Sequence, residues 1–320
     1  MVAPLDSVCA TIPLIDISGY LNGDKEKAER AVVELRTACQ SPGFLQITGH
    51  GVTSEIRSQL LQKLAEFFAL PAATKQALHR SQSKCLRGYE SVGEQKLEAG
   101  ISDQKEGFMI GPDLPAENGY LQGPNQWPSE EAAPGFREVY MAYFDVMRNL
   151  SKTVFRLMAL SLDLDERYFD EFVGSKDTIS MCRAHRYPPT TPEMAKTSRG
   201  IGAHTDFGAL TLLLQDDVGG LEVFHKPTGT WHNVQPVKDA FVVNIGDMME
   251  RWTNNTYTST LHRVISPVTA KDRYSVAFFN EGLPDQLVSC IPTCLKPNEK
   301  PLFEPIRVED HLRARYGNSY

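Results

Sequence analysis

His204 and Asp206 stand two positions apart, separated by Thr205. On an extended backbone, side chains at i and i+2 point to the same side. A ring nitrogen and a carboxylate oxygen placed this way can reach one metal ion. A third ligand is needed. Of the eight histidines, at 50, 79, 185, 204, 225, 232, 262 and 311, His262 stands out. It follows Ser259-Thr260-Leu261 and opens a β-type run, His262-Arg263-Val264-Ile265. Two histidines and one carboxylate on one face of an octahedral ion leave three adjacent positions open. That donor set suits Fe(II) when the ion must hold a bidentate ligand and still admit O₂.

A His-x-Asp pair alone is common, and its surroundings carry the argument. Asp206 is followed by Phe207-Gly208-Ala209 and the apolar run LTLLLQDD, closed by Gly219-Gly220-Leu221. Arg273 and Ser275 follow His262 on a run that alternates like a strand, so they share one face. A guanidinium beside a hydroxyl suits a terminal carboxylate, because arginine pairs with it bidentately and serine adds a hydrogen bond. Tyr187, in Arg186-Tyr187-Pro188-Pro189, can bring a phenol to the same carboxylate.

These residues need a frame. Ile12 to Ile17 and Phe44 to Ile47 read as strands. Asp24 to Cys39 carries Ala28, Ala31, Val32 and Leu35 at helical spacing. Ser54 to Ala69 places Ile56, Leu60, Leu61, Leu64 and Phe67 on one helical face, and Pro71 ends it. Cys85 to Pro134 is rich in Gly, Pro, Asn and charge, and reads as irregular chain over a site. Within it, mixed charge from Glu90 to Glu106 reads as a solvated loop, with a substrate-ordered lid as the functional version. Phe136 to Leu162 reads as a long helix through Val139, Tyr143, Met147, Leu150, Val154, Leu157 and Leu160. From Thr178 onward short β-runs follow one another: 180–187, 210–215, 221–224, 231–234, 241–245, 262–264 and 274–279. Strands at this spacing indicate a sandwich or barrel. The expected fold is mixed α and β, with N-terminal helices packed on a double-stranded β-core. It is read as a single integrated domain over 1–320, with an N-terminal part near 12–135 and a catalytic β-core near 175–285.

Composition narrows the function. With 320 residues the chain can bury a core without staples. Hydrophobic residues at 41% and charged residues at 23% exclude a disordered chain or a coiled coil. The net charge of −7 and the lack of basic runs exclude nucleic acid as a partner. No apolar stretch is long enough to span a membrane. The N-terminus lacks the features of a signal peptide. Six cysteines without a CxxC pair read as reduced thiols, and the expected location is cytoplasmic.

Taken together, the chain resembles the Fe(II)/2-oxoglutarate-dependent dioxygenases of the isopenicillin N synthase-like group, from about Ile12 to about Pro284. The marks are PLIDIS (13–18), PGFLQITGHGV (42–52), FFALPAATK (67–75), RGYE (87–90) and DQKEGFMIG (103–111) in the first half. They continue with AHTDFGALTLLLQDDVGGLEV (203–223), VVNIGDMMERWTN (242–254), YTSTLHRV (257–264) and DRYSVAFF (272–279). The resemblance implies a distorted double-stranded β-helix, or jelly roll. It implies His204, Asp206 and His262 as iron ligands, with Arg273, Ser275 and Tyr187 on the far carboxylate of the 2-oxo acid. It also implies O₂ as cosubstrate, with succinate and CO₂ as products. The implied prime substrate is a small metabolite, altered by hydroxylation, desaturation or oxidative rearrangement, in keeping with secondary metabolism. The iron would supply the demanding chemistry and the protein orientation and exclusion of water.

For substrate contacts the irregular middle stretch and the strand before Tyr187 offer Arg87, Tyr89, Phe108, Met181, Arg183 and Phe279. Phe207, Leu212, Val264, Phe278 and Phe279 offer an apolar shell around the ligands. One departure is His185, where plant members of the group often carry Asn. His50 reads as structural, His225 and His232 flank a hairpin turn, and His79 and His311 carry no signal. Three other readings share parts of this pattern. They are a same-fold oxidase that does not consume 2-oxoglutarate, an ethylene-forming oxygenase, and a non-oxygenase metal- or ligand-binding β-helix. Oligomeric state has no signature in the chain.

Overall fold

The computed structural model describes residues 12–95, 97–98, 101–116 and 118–317. Twelve strands build its two main sheets. In chain order they are β1 (Leu14–Asp16), β2 (Phe44–Thr48), β3 (Gly88–Glu90), β4 (Glu106–Ile110), β5 (Ile179–Tyr187) and β6 (Ile201–His204). They continue with β7 (Leu210–Gln215), β8 (Leu221–His225), β9 (Thr230–Asn233), β10 (Phe241–Ile245), β11 (His262–Val264) and β12 (Arg273–Gly282). The larger sheet runs β1-β2-β10-β7-β12-β5-β4-β3 and the smaller β6-β11-β8-β9. Within them, β1 and β2 are parallel and every other neighbouring pair is antiparallel. Two facing antiparallel sheets with crossed connections are a jelly roll, as expected.

Alternation divides the large sheet into two faces. On β7, Leu210, Leu212 and Leu214 join the main hydrophobic core, whereas Thr211 and Leu213 line the space between the sheets. On β12, Val276 and Phe278 join the main core, and Arg273, Ser275, Ala277, Phe279 and Glu281 face the interior space. A strand period of two thus gives each strand an apolar face for the helices and a chemical face for the site.

Helices cover the outer face. They are α1 (Lys25–Gln40), α2 (Ser54–Phe68) and α3 (Phe136–Ser161). Asp24 caps α1 by accepting from the Lys27 N–H at 3.2 Å, and Thr53 caps α2 by accepting from the Ile56 N–H at 3.4 Å. Tyr140, Tyr143, Met147, Leu150, Val154 and Leu157 form the buried stripe of α3. Val139 and Leu160, expected on that stripe, lie at its half-buried margins. Two further helices matter to the site: α4 (Asp247–Trp252) and α5 (Val308–Gly317). A smaller core of Phe44, Tyr187, Ile201, Leu221, Val223 and Val264, with two more valines, lies between the sheets. No helix of the described residues is long and apolar enough to cross a membrane, and none of the described cysteines forms a disulfide.

The charged stretch 90–106 departs from the solvated loop expected of it. Glu90, Asp103, Lys105 and Glu106 are all buried. Lys105 Nζ lies 3.0 Å from Glu90 Oε2, Arg183 pairs with the same carboxylate, and Arg80 lies 3.7 Å away. Glu106 is held by Lys75 and Arg186, each at 2.7 Å. Composition alone reads such a run as surface. Pairing between β3, β4 and β5 turns it inward, where Glu90, Lys105 and Glu106 meet opposite charges and Asp103 accepts from the Gly202 N–H at 2.9 Å.

Candidate active site

His204 ends β6 and His262 begins β11, and the two are direct partners in the antiparallel register. Asp206 lies just beyond β6, in the loop that leads to β7. His204 Nε2 and His262 Nε2 lie 3.7 and 3.6 Å from Asp206 Oδ1. Among the described residues, His204, Asp206 and His262 form the only cluster of at least three such side chains whose ligand atoms lie within 4.8 Å of one another.

The hydrogen bonds around the cluster fix which atoms face inward. His204 Nδ1 lies 2.8 Å from the Gly202 carbonyl and His262 Nδ1 lies 3.0 Å from the Thr260 carbonyl. A carbonyl only accepts, so each Nδ1 carries the proton and each Nε2 presents a lone pair. Asp206 Oδ2 accepts from Thr211 Oγ1 at 2.6 Å and from Asn244 Nδ2 at 2.7 Å. Its Oδ1 is left for the histidines' side. Burial lowers the His204 imidazole, as does His262, against a pull upward from Asp206. Burial would raise the Asp206 carboxyl, but His262, His204, Asn244 and Thr211 together hold it below its ordinary range. Two imidazole Nε2 atoms and one carboxylate oxygen form a donor set that fits a divalent iron-group ion with open positions.

Asp247, at the start of α4, braces both segments that carry the cluster. Its N–H donates to the Asp206 carbonyl at 2.8 Å. Its carboxylate accepts from Thr205 Oγ1 at 3.2 Å and from Ser259 Oγ at 2.7 Å.

The cluster opens into a pocket enclosing about 890 Å³, part of it solvent at the mouth. At its inner end lies Arg273, which is fully buried. Its guanidinium donates to Ser275 Oγ and to Gln215 Oε1, each at 3.2 Å, and packs 4.7 Å from the Tyr187 ring. The Tyr187 hydroxyl lies 3.3 Å from Ser275 Oγ. Arg273 Nε has no hydrogen-bond partner, and among the described residues no carboxylate forms an ion pair with it. A buried cation without an anion is costly, so this end fits a carboxylate guest. Burial also pushes the Tyr187 phenol up, keeping it a hydrogen-bond donor. His185, beside them, is buried with an unpartnered Nε2, and burial drives its pKa well down.

Of the six residues expected at the substrate, Arg183 and Phe279 line this pocket. Arg183 is already paired with Glu90. The other four need correction. Arg87 is fully buried away from the pocket and donates to the Leu121 carbonyl at 2.6 Å. Tyr89 donates to Glu106 Oε2 at 2.6 Å. Phe108 sits in an aromatic cluster with Phe67, Phe136 and Tyr140, and its strand neighbour Met109 lines the pocket instead. The run EGFMI is apolar on both sides, so the sequence gives no phase for the alternation. Met181 is fully buried in the main core. Of the apolar shell, Phe207, Val264 and Phe279 line the pocket, while Leu212 and Phe278 face the helices.

Several pocket residues escaped the sequence reading. Thr211 and Asn244 lie inside the quoted motifs, but only their bonds to Asp206 single them out. Tyr316 and Arg315 come from α5. The Tyr316 ring packs edge-on to Phe207 at 5.1 Å, Arg315 lies 2.5 Å from Asp247, and His311 donates to the Phe207 carbonyl at 2.8 Å. His311 had carried no signal because its partner lies across the fold. His50 is structural, as expected. Its Nδ1 accepts from the Val52 N–H and its Nε2 donates to the Asp239 carbonyl, each at 3.0 Å. His225 and His232 sit on the β8–β9 hairpin.

Comparison with known proteins points the same way. Residues 178–282 match the 2OG-Fe(II) oxygenase superfamily and residues 12–130 match the N-terminal family described as non-haem dioxygenase in morphine synthesis. The chain is 41% identical to the 2-oxoglutarate-Fe(II) type oxidoreductase hxnY of Emericella nidulans, over 96% of this chain and 90% of that one. It is 38% identical to the 2-oxoglutarate-dependent dioxygenase citB of Monascus ruber, over 97% of this chain and 95% of that one. The crystal structure of a full-length Neurospora crassa protein in complex with alpha-KG superposes with a TM-score of 0.89 at 30% identity, covering 99% and 98% of the two chains. The same Neurospora protein with alpha-KG and thymine gives 0.87 at 29%, covering 99% of each chain. Likeness of this extent, over both halves of the chain, leads to one conclusion: it belongs to the Fe(II)- and 2-oxoglutarate-dependent oxygenases, oxidoreductases that consume O₂.

Proposed function

We propose that His204, Asp206 and His262 hold the Fe(II), and that Arg273, Ser275 and Tyr187 hold the far carboxylate of 2-oxoglutarate. The observation that carries this reading is the pairing of two unmet demands in one pocket. Three inward-facing ligand atoms converge at one place, and a buried guanidinium without an anion lies deeper in the same pocket. When bound, the iron supplies O₂ activation coupled to oxidative decarboxylation of the 2-oxo acid to succinate and CO₂.

The chain's own residues do the rest. The Gly202 and Thr260 carbonyls hold the imidazoles in the ligating tautomer. Thr211 and Asn244 orient Asp206. Arg273 and Ser275 set the direction of the cosubstrate by a charge-assisted pair and a hydroxyl. Phe207, Phe279 and Tyr316 line the pocket with aromatic rings and help exclude water from it.

The prime substrate is read as a small metabolite. This reading is supported by the structurally similar Neurospora crassa protein, which has been crystallised with thymine. The chain is read as one integrated catalytic unit, because β2 and β4 from its first part hydrogen-bond β10 and β5 of the core. A cytoplasmic setting is in keeping with the free cysteines among the described residues.

The test is anaerobic titration of Fe(II)-loaded protein with 2-oxoglutarate, following the visible metal-to-ligand charge-transfer band. The band is expected in the native chain, absent in His204→Ala and weakened in Arg273→Ala. Iron bound with no band would overturn the 2-oxoglutarate site. No iron binding would overturn the whole reading.

A further inference from the structure

Past the metal ligands, the chemical face of β12 continues from Ala277 to Phe279 and Glu281. The cosubstrate reading uses Arg273 and Ser275 and leaves Glu281 without a task. Glu281 is 1% exposed and lines the pocket. Its Oε2 has no hydrogen-bond partner, and among the described residues no lysine, arginine or histidine forms an ion pair with it. Its carboxyl lies against Gly208, two positions after Asp206, in space that any Cβ at 208 would take. Proteins rarely leave a buried carboxyl unpartnered, and such a group in a ligand pocket is one whose partner arrives with the ligand.

We propose that Glu281 determines specificity for the prime substrate, hydrogen-bonding an N–H donor on an uncharged planar heterocycle seated among Phe207, Phe279 and Tyr316. This rests on the reading that the inner end of the pocket takes the metal and 2-oxoglutarate. Three observations select the class. The apolar part of the pocket lining is aromatic and aliphatic, with Leu97 and Met109 as well as the three rings. A flat ring fits such a surface. The cation here, Arg183, is ion-paired with Glu90, so an anionic substrate finds no counter-charge in it. Burial pushes the Glu281 carboxyl up, which favours a neutral partner over a cationic one. A carboxyl group offers two oxygens side by side, and a lactam offers N–H and C=O side by side, so lactams are the best match within the class.

The test uses the intact chain loaded with Ni(II) and 2-oxoglutarate, a complex that binds without turning over. The probes are uracil and 2-pyridone with their N-methylated counterparts, and the readout is calorimetric binding. Succinate release by the Fe(II) form is the second readout. At least one N–H lactam is expected to bind, with its N-methylated form at least tenfold weaker. Glu281→Leu should erase that difference, while Glu281→Gln, which keeps an acceptor of the same shape, should retain most of it. The proposal is overturned if none of the lactams binds, if N-methylation changes nothing in the native chain, or if Glu281→Leu still discriminates. In that last case Glu281 would merely support the turn at Gly208. The charge-transfer band with 2-oxoglutarate should persist in both variants. Its absence from the native chain would strike the cosubstrate reading instead, so the two failures are distinguishable.

Discussion

The two oxygens of Asp206 have separate employment. Oδ2 is occupied by Thr211 and Asn244, and Oδ1 faces the two imidazoles. Partners of this kind orient a ligand and tune its basicity, and losing one commonly costs about 10- to 100-fold in metal affinity. Asn244→Ala is therefore expected to weaken Co(II) or Fe(II) binding by about tenfold or more, measured by metal titration, while leaving the thermal melt of the apoprotein nearly unchanged. Unaltered affinity would show that Thr211 alone suffices. At Arg273 the expectation concerns shape rather than charge. Arg273→Lys keeps a cation but loses the planar fork, so KM for 2-oxoglutarate should rise at least about tenfold with a smaller change in kcat. Steady-state succinate release at varied cosubstrate checks this, and an equal fall in both parameters would argue for a wider collapse of the pocket. That these residues lie side by side could be read in advance for a simple reason. His204 with Asp206, and Arg273 with Ser275, are each two positions apart on extended chain, so local geometry alone pairs them. Arg87, Tyr89 and Phe108 misled because a residue type suited to binding says nothing about which way its strand face turns.

Elements place what residue types cannot. The antiparallel pairing of β6 with β11 brings His262 to His204, and α4 locks the arrangement through Asp247. Asp247→Ala frees Thr205 and Ser259 together, so it should loosen both ligand segments and lower metal affinity more than either Thr205→Ala or Ser259→Ala alone. A double-mutant comparison of metal binding would show it. The charged strands offer a different prediction. Burial opposes ionisation of Glu90, but Arg183, Lys105 and Arg80 outweigh it and hold the carboxyl well below its ordinary range. A carboxylate depressed in the folded state contributes stability that is fully present above its unfolded value, about 4.3, and is lost as pH falls below that. Stability should therefore fall as pH drops below about 4. Glu90→Gln should cost about 3–5 kcal/mol at neutral pH, since it leaves buried cations uncompensated, and should flatten the acid limb. Urea unfolding at neutral pH and across the acid limb tests both parts. This network was legible only as a mixed-charge run, because composition does not report which charges face inward.

At the scale of the whole molecule, the first and second parts share one sheet and one main core. Trp127 belongs to the first part, and Trp231 and Trp252 to the second. If the chain unfolds as a unit, variants that keep only Trp127 or only Trp252 should report the same denaturant midpoint by fluorescence, coincident with loss of far-ultraviolet circular dichroism. Separated midpoints would show two cooperative units. The C-terminal α5 ties into the same whole. Through Arg315, His311 and Tyr316 it reaches Asp247 and Phe207. Its removal should raise KM for the prime substrate while leaving metal binding within a few fold.

The division between sequence and tertiary structure follows the range of the interactions. The amino-acid order by itself determined the ligand types, the Arg-x-Ser pair, the helices with clear 3.6-residue stripes and the succession of short strands, because each depends on neighbours within a few positions. Tertiary structure decided the rest. It chose which face of EGFMI meets the pocket and turned a charged loop into a buried ion-pair network. It carried Tyr316 to the pocket, and it left Glu281 with a carboxyl that nothing else in the described fold completes. Those outcomes depend on pairing between strands far apart in the chain, where a shift of one residue exchanges the two faces, and no local pattern records the register.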